Sequence, residues 1–193
     1  MPIRLCRLAN VFNMPSPLDF FEPLLKDKKY DPPKNLARVV IAHPVHWIAF
    51  GFGSGLLPIA PGTWASLFTA ILFWFVPPIP MPYFLALISL LFVFGVWICG
   101  ESSRRLGVHD FQGIVFDEVV GMLATLAFVS HEPMWIAVAL VNFRIADIWK
   151  PWPIRDIDHR LHGGLGIMLD DVLAAFYAGL ATLLMQQIFI TVI

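Results

Sequence analysis

His109-Asp110-Phe111-Gln112-Gly113-Ile114-Val115-Phe116-Asp117-Glu118-Val119-Val120-Gly121 sets two adjacent carboxylates, Asp117 and Glu118, at the mouth of the apolar run Val119 to Val129. A charge held near hydrocarbon costs roughly 2.5 to 3.5 kcal/mol even on a lenient insertion scale. A chain that accepts this twice in succession has a use for it. The arrangement recurs at Asp170-Asp171, which lead into the last apolar run. Between the two doublets, Arg144-Ile145-Ala146-Asp147-Ile148-Trp149-Lys150-Pro151 closes a third apolar run with a third charged cluster. The spacing of these clusters predicts a bundle of apolar helices that gathers them at one membrane surface.

Composition agrees. Of 193 residues, 58% are hydrophobic and 14% charged, where a soluble domain carries about a quarter charged. The long apolar runs place the chain in the membrane class. A net charge of −1 gives no basic footprint for nucleic acid. Cys6 and Cys99 are far apart and lack metal-ligand spacing, so neither a disulfide nor a zinc site is expected. Arg7 interrupts the short apolar stretch near the start, so delivery to the membrane is expected to rest on internal spans.

Residues 1 to 42 carry Pro15, Pro17, Pro23, Pro32 and Pro33 and the segment Lys26-Asp27-Lys28-Lys29. No helical period survives the prolines, so this stretch is expected to be a loose cytosolic extension. Residues 43 to 193 form the membrane-embedded domain. It opens on an apolar but Gly- and Pro-rich stretch, Gly51-Phe52-Gly53-Ser54-Gly55 through Pro61-Gly62-Thr63. Irregular backbone cannot face lipid, so this stretch is expected to be a re-entrant or interfacial loop. The apolar runs that follow predict about five spans, at roughly 62–76, 83–100, 113–129, 133–149 and 170–193. The fold class is therefore all-α, a polytopic membrane helix bundle. All 13 lysines and arginines fall on the side holding residues 101–112 and 150–169, or within two turns of it. The turns at 77–82 and 130–133 have none, so the charged side is expected to be cytoplasmic.

Five acids stand where these helices meet that side: Asp117, Glu118, Asp147, Asp170 and Asp171. Adjacent carboxylates repel unless something positive intervenes. Mg²⁺ takes oxygen ligands and commonly uses one or two carboxylates together with a substrate phosphate. These five are the candidate metal ligands and Mg²⁺ the expected cofactor. Arg144 and Asp147 share a helix face. Arg144, Lys150 and Arg155 are the candidate phosphate-binding cations, joined by Gly53 and Ser54, because glycines let backbone N–H groups approach a phosphate. His109, Asp110 and His162 are the candidate catalytic groups, the histidines because they titrate near neutral pH. Metal and arginine together suit a transferring phosphoryl group on a substrate whose tail stays in the bilayer.

These segments resemble bacterial phosphatidylglycerophosphatase A. The resemblance rests on four stretches in order: Gly51 through Thr63, Val108 through Glu118, Arg144 through Ile154, and His162 through Asp171. It covers about residues 43 to 190. It implies an all-helical, Mg²⁺-dependent enzyme of the bacterial inner membrane, and the charge pattern above puts its N-terminus and site on the cytoplasmic side. Its substrate would be phosphatidylglycerophosphate, cleaved to phosphatidylglycerol and phosphate. Apart from that substrate, membrane lipids are the expected partners. The alternative class is a carrier or proton-coupled transporter of an anion. Transporters place ionisable groups near the midplane and often show inverted repeats; no acid falls mid-span here and no repeat is visible.

Overall fold

Prolines open four of the helices seen in the computed structural model, which describes residues 35–108, 111–152, 154 and 163–192. Proline suits the first turn, where an N–H has no partner to lose. Pro44 starts α2 (Pro44–Ala49), Pro61 starts α3 (Pro61–Phe75), Pro82 sits in the first turn of α4 (Met81–Leu106), and Pro133 starts α6 (Pro133–Trp149). α1 (Leu36–Ala42) precedes them, a 3-10 segment (Gly51–Leu56) links α2 to α3, and α5 (Phe116–Leu126) and α7 (Gly164–Val192) complete the set. Among the described residues there is no strand, as an all-α class requires.

Only α4 and α7 are long and apolar enough, among the described residues, to cross a membrane. Their 26 and 29 residues give about 39 and 43 Å at 1.5 Å per residue. α5 has 11 residues, about 16 Å, well short of the roughly 20 residues a span needs.

α5 and α7 form the spine of the bundle. Met122 and Leu126 of α5 meet Ala174, Ala175 and Ala178 of α7 in one core with Phe143 of α6. On the other side Phe116 and Val120 meet Ile167 and Met168 in a second core with Ile98 and Cys99 of α4. Small residues let these backbones close up. A Cβ on Gly164 would fall 1.8 Å from the Val96 carbonyl oxygen, and one on Gly95 would fall 2.5 Å from Met168 Sδ. Polar bonds within the bundle add direction: Asn142 Nδ2 donates to Thr182 Oγ1 at 2.9 Å, and Gln186 Nε2 donates to Ser130 Oγ of the α5–α6 turn at 2.6 Å. Outward-facing Leu90, Val93, Trp97, Ile188 and Val192 are exposed, as suits a bundle whose surroundings are hydrocarbon.

Three boundaries differ from the sequence expectation. Leu36–Ala42 is helical and buries Val40 against the second core, although it lies in the stretch assigned to an extension. The prolines that argued against a helix stop at Pro33; the rest of that stretch lies outside the described residues. α4 runs six residues past Gly100, because Glu101 receives Arg104 and Arg105 from the next turn at 2.8 and 2.6 Å. It ends at Gly107, whose φ of 72° supplies the left-handed stop. α7 begins at Gly164, so Asp170 and Asp171 lie in its second turn and gain little from the helix dipole, which fades within the first.

The Gly-rich segment is pinned rather than free. A Cβ on Gly55 would fall 1.9 Å from the Gly113 carbonyl oxygen, and Val115 N–H donates to the Ala49 carbonyl at 2.9 Å. These contacts fix the loop that delivers α5. Beside them, His46 Nδ1 lies 2.8 Å from Ser102 Oγ in a buried pair joining α2 to α4.

Candidate active site

Asp117 is one turn before Gly121 on the same face of α5. A Cβ on Gly121 would fall 3.1 Å from Asp171 Cβ, so α5 and α7 cross almost in contact at that level. The crossing brings Asp171 to Asp117 and Glu118. One carboxylate oxygen from each of the three lies within 4.8 Å of the others. Asp171 is 3% exposed and Asp117 9%, so the cluster is sheltered from water.

Asp170 points elsewhere. Successive helical residues are about 100° apart, so the doublet divides between two partners. Asp170 Oδ2 accepts a hydrogen bond from Lys150 Nζ at 2.6 Å. Lys150 ends α6 with a φ of 45°, in the left-handed region. Asp147 forms an ion pair with Arg144: Arg144 Nη1 lies 2.7 Å from Asp147 Oδ2 and 3.9 Å from Glu118 Oε1. The two cations therefore bracket the three-carboxylate cluster from the α6 side.

All these groups line one cleft of about 420 Å³, closed on one side by Pro58, Ala60, Pro61 and Gly62 and on another by Gln112, Ile114, Gly166 and Ile167. Of the lining residues not singled out from the sequence, two matter chemically. Gly62 lies against the carboxylate itself: a Cβ there would fall 1.9 Å from Glu118 Oε1 and 3.2 Å from Arg144 Nη1. Gln112 is the uncharged polar side chain of the lining. The Pro61-Gly62-Thr63 helix start was the available signal for the first; nothing local marks the second.

Gly53 and Ser54 are not among the lining residues. Ser54 Oγ donates to the Gly51 carbonyl at 2.9 Å, and a Cβ on Gly53 would lie 3.4 Å from the Trp47 ring. Their role as a phosphate cradle does not fit this placement, because the Gly-rich segment spends its polar groups on its own turn. His109, Asp110, Arg155 and His162 lie outside the described residues.

The charge on the described lining is unbalanced. Five carboxylates face two cations among the described lining residues, a formal excess of three negative charges if all ionise. Glu118 Oε2 and Asp171 Oδ2 are buried without a hydrogen-bond partner among the described residues. Buried oxygens left so are expected to meet a cation or a proton. The donor set, three carboxylates and no thiol or imidazole among the described residues, is that of a hard divalent ion. The residues fit Mg²⁺.

A family model described as phosphatidylglycerophosphatase A matches residues 47–186. The chain belongs to the phosphatidylglycerophosphatase A family. The cleft's lining, from Pro58 to Asp171, falls inside the matched residues. The chain is 45% identical over 140 residues to Phosphatidylglycerophosphatase A of Escherichia coli K12, covering 72% of this chain and 81% of the relative. It is 42% identical over 153 residues to Phosphatidylglycerophosphatase A of Haemophilus influenzae, covering 78% and 94%. No solved structure matches the chain.

Proposed function

We propose that this chain is a Mg²⁺-dependent phosphatidylglycerophosphatase. It hydrolyses the terminal phosphate monoester of phosphatidylglycerophosphate, releasing phosphatidylglycerol and inorganic phosphate. The observation that carries the reading is the convergence of Asp117, Glu118 and Asp171 beside Arg144 and Lys150 in one sheltered cleft. The names of the two bacterial relatives support the substrate.

In the net reaction a water oxygen joins phosphorus, the bond from phosphorus to the glycerol oxygen breaks, and that oxygen takes a proton. Asp117, Glu118 and Asp171 would hold the ion. When bound, Mg²⁺ would offset the cleft's negative excess and polarise a phosphoryl oxygen as a Lewis acid. Arg144 presents the planar fork that matches phosphate, held in register by Asp147. Lys150 supplies a point charge that Asp170 keeps at the cleft wall. The apolar sides of the cleft limit water around these groups, which strengthens each charge interaction.

In this reading α3 to α7 make up a multi-pass bundle in the bacterial inner membrane, about five passes of which the 11-residue α5 is a partial one, with the Gly/Pro-rich stretch at the interface. The cleft faces the cytoplasm. The support is the charge distribution: the turns at 77–82 and 130–133 carry no lysine or arginine, while Arg104, Arg105 and Lys150 mark the opposite ends of the helices.

The test is phosphate release by purified protein in detergent. Release from phosphatidylglycerophosphate with Mg²⁺, abolished by a chelator and restored by Mg²⁺, is expected. Release that a chelator leaves intact would refute the metal, and no release under any metal would refute the reaction.

A further inference from the structure

We infer that two apolar grooves, one on each flank of the first turns of α3, each take one acyl chain of the substrate, making the site selective for two-chained phosphomonoester lipids. This rests on the reading of the cleft as a phosphomonoester site. The first groove, about 480 Å³, runs between α3 and α6, with Thr63 on one wall and Val141, Ile145, Ile148 and Trp149 on the other. The second, about 450 Å³, is formed by Leu57, Pro58, Ile59, Trp64 and Phe68. Thr63 and Phe68 are five positions apart, which sets them roughly 140° apart around the helix at 3.6 residues per turn. Gly62, between the flanks, faces Glu118 and Arg144.

Each groove adjoins the polar cleft through one shared residue. Arg144 lines both the cleft and the first groove, and Pro58 lines both the cleft and the second. A ligand with its phosphate at Arg144 therefore has two apolar exits, one on either side of α3. The walls are open and greasy: Ile148 is 73% exposed and Ile59 77%. By contrast, the apolar hollow at Met185, Ile188, Phe189 and Val192 lies at the far end of α7 and shares no residue with the cleft. It reads as ordinary lipid-facing surface. A wall residue shared with the charged site is what separates the two grooves from it, and the headgroup position is what commits them to acyl chains of the same molecule.

The experiment compares kcat/KM for a diacyl phosphatidylglycerophosphate with that for its single-chain counterpart, both in mixed micelles. The wild type is expected to favour the diacyl form by about tenfold or more, the scale on which apolar pockets discriminate. Val141→Trp fills the first groove and Ile59→Trp the second. Each is expected to bring the ratio close to one, since a single chain can still use the groove left open. Val93→Trp, on exposed α4 surface away from both grooves, keeps the wild-type ratio. A wild-type ratio near one, or a ratio that neither groove substitution moves, overturns the proposal. Binding is read separately by native mass spectrometry, with dioleoyl phosphatidic acid against its single-chain form. Diacyl preference in binding that both tryptophans abolish supports the grooves even if no lipid is turned over, in which case the phosphatase reading alone fails. Turnover with no diacyl preference in either measurement sinks the grooves and leaves the phosphatase reading standing.

Discussion

Replacing Gly62 by alanine should cut turnover by about 100-fold, or about 2.7 kcal/mol of barrier, while leaving the protein folded. Gly62 is the second residue of α3, and its missing Cβ would fall 1.9 Å from Glu118 Oε1 and 2.7 Å from Glu118 Cδ. Real Cβ atoms essentially never come within 3.0 Å of a neighbour, so the carboxylate must retreat by about 1 Å, a displacement that can cost about 100-fold in a catalytic geometry. The atom that moves is the far end of a flexible side chain, so the helices need not part. Alanine is the better helix former by about 1 kcal/mol, which offsets local crowding. The assay is phosphate release at saturating Mg²⁺ and substrate, beside thermal unfolding followed by circular dichroism in the same detergent. A second variant sharpens the result. Glu118→Asp in the Gly62→Ala background shortens the acid by one methylene and should recover part of the activity, a non-additivity that residues in direct contact show. Gly62→Ala activity within about threefold of wild type, well under one tenfold step of 1.4 kcal/mol, would refute the claim that Glu118 works from the position seen here. So would a collapse in melting temperature that accounts for the loss.

Asp117→Asn, Glu118→Gln and Asp171→Asn should each lower activity at least about tenfold, as loss of a metal ligand or its support does, with at least one showing a raised Mg²⁺ requirement in a titration; unchanged activity in all three would end the shared-ion reading. Arg144→Lys should insert and fold normally yet lose most activity, because lysine lacks the planar fork; low folded yield with near-normal specific activity would instead mark Arg144 as a structural partner of Asp147. For topology, cysteines placed at Glu132 and Arg105 in a chain lacking Cys6 and Cys99 should differ in intact cells. An impermeant thiol reagent should reach position 132 and miss position 105, and labelling at 105 would overturn the cytoplasmic placement of the cleft.

The acids, Arg144 and Lys150 were legible in the sequence because charge beside apolar runs is conspicuous whatever the tertiary structure. Pro61 and Pro133 marked helix starts by the same kind of local rule, and the order of the four stretches carried the family resemblance. What stayed hidden depends on how helices cross. Gly163, with a φ of 81°, makes the turn into α7. Gly164 and Gly166 are helical, and Gly164 is small because Val96 of α4 lies against it. The division of Asp170 from Asp171 follows from helical geometry once α7 is known to include them, but a doublet treated as one unit conceals it. Gly53 and Ser54 looked like a cradle because glycine content alone does not say where a turn's N–H groups point.

Gly121 explains why three carboxylates can meet here at all. A Cβ at that position would fall 2.7 Å from Phe143 Cζ on α6 and 3.1 Å from Asp171 Cβ on α7. Any side chain there would crowd both neighbours at once. Two helices normally pack with axes 8 to 10 Å apart, and short acids such as aspartate reach across only where the backbones come close. The closest approach is therefore where the acids must sit, and the residue that permits it is one turn from Asp117. The same crossing turns Asp171 inward and leaves Asp170 to Lys150. Of the five acids, Asp147 and Asp170 each meet a cation within 2.7 Å, and Glu118's nearest described cation, Arg144, is 3.9 Å away and already engaged by Asp147. Two of the carboxylates brought together by the crossing, Glu118 and Asp171, thus keep a buried oxygen with no hydrogen-bond partner among the described residues, which is the arrangement a divalent ion and a phosphate would complete.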